Sequence, residues 1–119
     1  MPDMRTEDLI RRLFNAVDNE DWEHVAAVFH QDVVYERPGF EPLRNVSEVM
    51  DFYTTRRRVT RGQHSIEGML SDATRASCWG SLVGVGTDGE AISERFADIY
   101  CVEHGRIRYR RTHFFRPAI

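Results

Sequence analysis

Asp98 is a carboxylate whose sequence neighbours suggest chemistry. In a strand of period two, Asp98 shares one face with Phe96 and Tyr100. A carboxyl group between two aromatic rings loses hydration, which disfavours its ionised form. We therefore expect Asp98 to face an apolar pocket as a neutral acid. An arginine within a few ångströms, for which Arg110 is the obvious candidate, would instead make Asp98 half of an ion pair at a strand edge.

Glu36 and Arg37 end a β-branched run that meets the dipeptide Pro38-Gly39. Successive side chains of a strand point to opposite faces, so Tyr35 and Arg37 share one face and Glu36 takes the other. Glu36 and Tyr35 therefore cannot both enter the same cavity from a regular strand. The sequence leaves open which of these two faces is the inner one.

Basic side chains between residues 56 and 64 offer two further kinds of site. Arg56, Arg57, Arg58 and Arg61 follow a predicted helix, where cations suit the negative end of the helix dipole. We expect a solvated helix end there, and an anion site is the alternative. His64 could act as a base inside a cavity, although a lone histidine at the start of a strand is usually structural or exposed.

No metal or organic cofactor is expected. Residues 84 to 89 satisfy the pattern G-x-G-x-x-G, but a strand rather than a helix follows them, so no helix N-terminus is present to bind a phosphate. The five histidines and two cysteines show none of the usual metal-ligand spacings. All 16 basic residues are arginine, which excludes Schiff-base chemistry through a lysine.

Length and composition indicate one globular domain over residues 1–119. The chain has 119 residues, of which 41% are apolar, enough for a single core. The amino terminus is charged and no apolar run approaches the roughly 20 residues of a membrane span. We therefore expect a soluble, cytoplasmic protein that does not bind membranes. The net charge of -3 argues against nucleic acid as a partner.

The apolar pattern changes its period once along the chain. Helical spacing governs the first third, whereas strand-like alternation governs the chain from Gln63 onward. The predicted elements are two short helices, a strand from Asp32 to Arg37, a third helix from Val46 to Arg56, and four strands at about 65–72, 75–85, 91–102 and 106–116. This order predicts an α+β fold that ends in a long antiparallel meander.

Three short motifs resemble the ketosteroid isomerase and SnoaL-like polyketide cyclase group of the nuclear-transport-factor-2-like superfamily. They are Gly39-Phe40-Glu41-Pro42, Asp51-Phe52-Tyr53 and Ala97-Asp98-Ile99-Tyr100. The resemblance covers nearly the whole chain and implies a cone-shaped, curved antiparallel sheet wrapped around three helices. Relatives of this fold are commonly dimers, and we expect a homodimer formed through the outer face of the sheet.

The resemblance also implies roles for particular residues. Asp98 matches the acid of an oxyanion hole, and Tyr53 matches a tyrosine in the same hydrogen-bond network. The proton-shuttling carboxylate falls on Glu36 or, counted from the other side, on Arg37. The catalytic candidates are therefore Asp98, Glu36 and Tyr53. The candidates for substrate binding are Arg37, Tyr35, Trp79, Phe96, Tyr100, Arg110, Thr112 and Phe114, of which Trp79 could equally fill the core.

Two functions are compatible with this resemblance. The first is an isomerase or cyclase that moves a proton next to a carbonyl of a polyketide-like or steroid-like molecule without a cofactor. Leu13 stands where the isomerase has an oxyanion-hole phenol, so steroid isomerisation is the less favoured reaction. The second is a non-catalytic module that binds a small hydrophobic molecule or dimerises, because a fold does not determine chemistry.

Overall fold

Three α-helices and six strands make up residues 5–117, the part of the chain that the computed structural model describes. The elements in chain order are α1 (Thr6–Asp18), α2 (Trp22–Val28), β1 (Phe29–Glu36), β2 (Leu43–Arg44), α3 (Asn45–Asp51), a π-helical turn (Phe52–Arg56), β3 (Val59–Ser71), β4 (Arg75–Gly86), β5 (Ala91–Glu103) and β6 (Arg106–Phe114). Within these residues, none of the helices combines the length and hydropathy that crossing a membrane requires.

The six strands form one sheet in the order β2-β1-β6-β5-β4-β3. Strands β3 to β6 are the predicted antiparallel meander, and together with the helices they confirm the α+β fold. Strand β1 pairs with β6 in parallel, with Tyr35 opposite Arg110. The sheet is therefore mixed rather than wholly antiparallel.

The helices cover one face of the sheet, which we call the inner face. Helix α1 buries Leu9, Ile10, Leu13, Phe14 and Val17, the stripe that its period predicts, and it contacts β3 and β4. On β5, Phe96 and Asp98 belong to this inner face and are buried. The opposite side, the outer face, carries the alternate side chains and is only partly covered.

The third helix changes its geometry before it ends. It is α-helical only to Asp51 and then widens into a π-helical turn, which closes when the Arg57 N–H donates to the Phe52 carbonyl at 2.8 Å. Short π-helical segments are uncommon and occur often at functional sites. Here the turn brings both Tyr53 and Arg57 to the inner side of the fold.

Strand β3 begins earlier than the alternation predicts, because Val59 already pairs with Gly86 of β4. The two strands approach closely near Gly80. A Cβ atom on Gly80 would lie 1.8 Å from the Ser65 carbonyl oxygen, so no other residue fits without moving β3. The pairing shifts by one residue just beyond this point, between Ile66 and Gly68. Such bulges bend a sheet and increase its twist.

Candidate active site

A narrow cavity lies between the helices and the inner face of the sheet. The centre of a water molecule can reach about 20 Å³ of it, room for about one ordered water. Its wall combines aromatic rings with an unusual number of charged and hydrogen-bonding groups. The lining residues are Phe14, Val17, Arg37, Tyr53, Arg57, His64, Leu82, Phe96, Asp98, Arg110, Thr112 and Phe114.

Asp98 is fully buried and accepts hydrogen bonds at both carboxylate oxygens. Tyr100 donates to Oδ2 at 2.7 Å, Arg110 donates to the same oxygen at 2.9 Å, and Thr112 donates to Oδ1 at 2.6 Å. A carboxyl group that only accepts, and that faces a guanidinium, is ionised. The expectation of a neutral acid at Asp98 is therefore replaced by the alternative of an ion pair with Arg110.

Arg110 links the ion pair to the phenol of Tyr53. Its side chain is 6% exposed, and its second terminal nitrogen donates to the Tyr53 hydroxyl at 2.7 Å. Burial alone would lower the pKa of Arg110, but the Asp98 carboxylate and the surrounding tyrosines raise it well above its ordinary value. Burial raises the pKa of Tyr53, against the pull of Arg110. Tyr53 thus keeps its proton, which Arg110 leaves free to be donated.

A second chain of hydrogen bonds reaches Asp98 from strand β1. Arg37 donates to the Tyr35 hydroxyl at 2.9 Å, and Tyr35 is in turn 3.0 Å from the Thr112 hydroxyl. Because Thr112 donates its one hydroxyl proton to Asp98, Tyr35 is the donor in its contact with Thr112. Arg37 also lies against aromatic rings, with its guanidinium carbon 4.7 Å from the centre of the Phe52 ring.

His64 enters the cavity from strand β3 and is held by the end of helix α1. Its Nδ1 lies 2.6 Å from Asp18 Oδ1, and its backbone N–H donates to Asp18 Oδ2 at 2.8 Å. Nδ1 therefore carries the proton, which leaves the Nε2 lone pair unused by any described residue. The ring packs between Phe14 and Phe96. Burial lowers the pKa of His64 below its ordinary value, although Asp18 opposes this shift.

The structure brings most of the predicted site residues together. Seven of them line the cavity: Arg37, Tyr53, Phe96, Asp98, Arg110, Thr112 and Phe114. Tyr35 and Tyr100 are fully buried just behind this wall and hydrogen-bond to its polar members. The inner face of the last strand is thus the one that carries Arg110, as the resemblance implies.

Two predicted site residues lie elsewhere. Strand β1 turns Tyr35 and Arg37 inward, so Glu36 points to the outer face, where the Tyr109 hydroxyl donates to it. Trp79 is 41% exposed and borders a shallow depression on the outer face rather than the cavity. The same period-two alternation explains both positions, because their neighbours Tyr35 and Cys78 take the buried side.

Sequence reasoning missed Asp18 and gave little weight to His64 and Arg57. Asp18 and His64 are 46 positions apart, and no motif connects them. Their contact depends on how the end of α1 packs against β3.

A group of possible metal ligands lies elsewhere. Within residues 5–117, His30, Glu103 and His104 bring three donor atoms within 4.8 Å of one another, as a metal site would require. None of these three lines the cavity.

Solved structures of NTF2-like proteins share the arrangement of this sheet and these helices, which is therefore the nuclear-transport-factor-2-like fold. The sequence model of the SnoaL-like domain matches residues 10–110, so the chain belongs to the SnoaL-like domain family. Comparison with curated proteins finds no significant sequence match.

Solved structures show the same architecture at low sequence identity. An NTF2-like protein of unknown function from Burkholderia pseudomallei K96243 superposes with a TM-score of 0.81 at 17% identity, over 91% of this chain and 88% of that chain. A provisionally named SnoaL-like polyketide cyclase from Jannaschia sp. CCS1 gives 0.80 at 11% identity, over 97% and 92%. A provisionally named ketosteroid isomerase from Kribbella flavida DSM 17836 gives 0.76 at 20% identity, over 93% and 78%. At these identities the likeness shows the fold alone.

Proposed function

We propose that the protein is a cofactor-independent enzyme that moves a proton next to the carbonyl of a small molecule, as in double-bond isomerisation or aldol cyclisation. The observation that carries this proposal is the pairing of His64 with Asp18 at the wall of a cavity that also contains the Tyr53 phenol. The names of the cyclase and isomerase neighbours support the reaction class.

His64 is the base in this mechanism. Asp18 fixes the ring with its proton on Nδ1, so that Nε2 can remove a proton from a substrate carbon. The lowered pKa keeps the imidazole neutral at pH 7, in the form that accepts a proton. Asp18 also stabilises the imidazolium that forms after proton transfer, as a carboxylate does in other histidine pairs.

Tyr53 is the group that stabilises the developing enolate oxygen. Its hydroxyl accepts from Arg110 and so has its own proton free for the substrate oxygen. A donor backed by a buried guanidinium is polarised towards the oxyanion, and this kind of stabilisation is commonly the largest contribution to catalysis. Asp98 holds Arg110 in place, which makes it a positioning residue rather than the proton shuttle.

The size of the cavity restricts the substrate. Pockets for drug-sized ligands occupy roughly 300–1,000 Å³, whereas the enclosed space here is close to one water molecule. Any organic substrate therefore requires the cavity to open, and a steroid-like or polyketide-like molecule requires the largest opening. We propose that the natural substrate is a small enolisable carbonyl compound whose apolar part packs against Phe14, Phe96 and Phe114.

Exchange of α-protons in D2O tests this function without knowledge of the natural substrate. Cyclopentanone and cyclohex-2-enone, followed by proton NMR, should lose their α-proton signals faster with the protein than with buffer. His64→Gln should reduce the catalysed rate about 10²-fold or more, as expected for loss of a general base. His113→Gln on the outer face is the matched control and should leave the rate unchanged.

The pH profile gives a second readout of the same base. Since the pKa of His64 lies below 6.5, exchange should persist at pH 6.5 and fall only as the pH drops through the lowered value. The free energy of unfolding should also decrease as the pH falls. The unfolded chain takes up the proton at the higher pH, so folding stability is complete above pH 6.5 and declines below it. If Glu36→Gln rather than His64→Gln abolished exchange, the earlier assignment of Glu36 as the shuttle would be correct.

The small enclosed volume favours a second candidate, a module that binds a ligand without turning it over. This alternative predicts ligand-dependent shifts of the His64 ring resonances with no α-proton exchange above the buffer rate.

A cytoplasmic location is part of the proposal, because Cys78 and Cys101 are both free, as in proteins of reducing compartments. A homodimer is also proposed, and the outer face supports it.

A further inference from the structure

Arg57 is a cation at the cavity wall that forms no ion pair with the described residues. It follows the π-helical turn, is half-buried and lines the cavity with Tyr53. Its guanidinium makes no hydrogen bond or ion pair to any residue in the range 5–117, and its carbon lies 5.9 Å from the centre of the Tyr53 ring. Five hydrogen-bond donors are therefore held beside the proposed reaction centre without a protein acceptor.

The neighbouring carboxylates are already engaged. Asp98 accepts from Arg110, Tyr100 and Thr112, and Asp18 uses both of its oxygens on His64. Arg110 is paired with Asp98, whereas Arg57 lines the same cavity without an ion pair to any residue that the structure describes. Burial lowers the pKa of Arg57, and the charge of Arg37 adds to this effect. An anionic ligand would stabilise the partly buried guanidinium of Arg57.

We propose that Arg57 binds a carboxylate group of the substrate, so that the site selects small keto acids over neutral ketones. This inference rests on the proposed function, because it names the substrate class of the same cavity. The planar guanidinium matches a carboxylate in a bidentate contact. The limited space favours a carboxylate over a bulkier phosphate. Arg57 lines the same cavity as Tyr53 and His64, the two groups that act on the ketone in the proposed reaction.

The matched pair of 4-oxopentanoate and 4-oxopentanamide tests the inference. The two molecules have nearly the same shape and differ in charge at one end. In NMR titrations read at the His64 ring, the wild-type protein should bind the acid at least about tenfold more tightly than the amide, since charge-assisted contacts exceed neutral ones. Arg57→Gln should remove this preference. Arg58→Gln, which deletes an exposed arginine one position away, should preserve it.

The comparison of the two ligands on the wild-type protein needs no variant, so it remains decisive even if Arg57→Gln fails to fold. Equal affinity for acid and amide, a preference that survives in Arg57→Gln, or no binding of either at tens of millimolar would each overturn the inference. Acid binding that depends on Arg57 without α-proton exchange would instead defeat the proposed reaction and leave the anion site standing. Exchange of cyclopentanone that depends on His64, with no preference for the acid over the amide, would defeat the anion site and leave the proposed reaction standing.

Discussion

Asp98 illustrates how one contact decides the chemistry of a residue. The alternation of β5 correctly placed it on the inner face with two aromatic neighbours, in a fully buried position. Burial between aromatics alone would have favoured a neutral acid. The guanidinium of Arg110 on the adjacent strand reverses that outcome, and the carboxylate becomes the anchor of a cation that supports Tyr53.

Removal of one partner of this pair should be costly. Asp98→Asn leaves Arg110 buried without a counter-charge, and we expect a loss of about 3–5 kcal/mol in the free energy of unfolding, measured by urea denaturation. The double variant Asp98→Asn with Arg110→Met should recover part of the loss, because it removes both charges.

A matched control is the pair of Asp72 with Arg75, whose side chains are 52% and 74% exposed. Arg75→Gln should cost no more than about 1 kcal/mol, as for a surface ion pair. A loss of the same small size for Asp98→Asn would show that the inner network reorganises around the missing charge.

The residues of the site divide into those that local rules could predict and those that they could not. Asp98, Arg110 and Thr112 follow from period two within long strands once the inner face is chosen. Glu36 lies outside the cavity because the inner face of β1 is set by how that strand packs. Neighbouring residues of a strand point to opposite faces, so a choice of the wrong face exchanges Glu36 for its neighbours. The pairing of His64 with Asp18 forms because the end of a helix packs against a distant strand, and no spacing of residues in the sequence indicates it.

At the scale of elements, the sequence predicted the meander well and its ends less well. The order of β3 to β6 follows from alternation and from turns at Gly89 and Gly105, which both adopt a positive φ. The early start of β3 depends on pairing with Gly86 rather than on any pattern in residues 59–62. The spacing of apolar residues does not predict the π-helical turn either, yet this turn sets the positions of Tyr53 and Arg57.

Gly80 is the element-level position most sensitive to substitution. In Gly80→Ala, the new methyl group would overlap the Ser65 carbonyl oxygen, 1.8 Å away, and the contact is with backbone rather than with a flexible side chain. We expect a loss of about 1–3 kcal/mol or more in the free energy of unfolding, typical of overpacking. Ser77→Ala on the outer face of the same strand should change it by less than about 0.5 kcal/mol. A Gly80→Ala protein as stable as wild type would mean that β3 and β4 separate readily there.

At the scale of the whole molecule, the outer face of the sheet is incompletely covered. Trp79 and Val83 on β4 are 41% and 48% exposed. Ile99 and Cys101 on β5 and Tyr109 on β6 lie on the same side and are only half-buried. Large apolar and aromatic side chains exposed on one face of a sheet favour an interface there.

We therefore expect a homodimer joined through the outer face. Light scattering at micromolar concentration should give twice the single-chain mass of 13.9 kDa. Trp79→Glu replaces an exposed aromatic ring of the outer face by a charge and should shift the protein to the single-chain mass. Arg12→Glu on the exposed side of α1 is the control and should leave the mass unchanged. A wild-type mass near 13.9 kDa would rule the dimer out.

The parallel pairing of β1 with β6 also constrains the order in which the molecule can form. Strand β6 lies between β1 and β5 in the sheet, and the Tyr35–Thr112 bond joins residues 77 positions apart. Until β6 has left the ribosome, the strands form two groups that do not pair with each other, β1 with β2 and β3 with β4 and β5, and each group has an unpaired strand edge open to wrong partners. Closing such a distant pair late slows folding. Because Arg110 and Thr112 belong to that last strand, a nascent chain has no binding site, and the cavity and the continuous sheet are completed in one step.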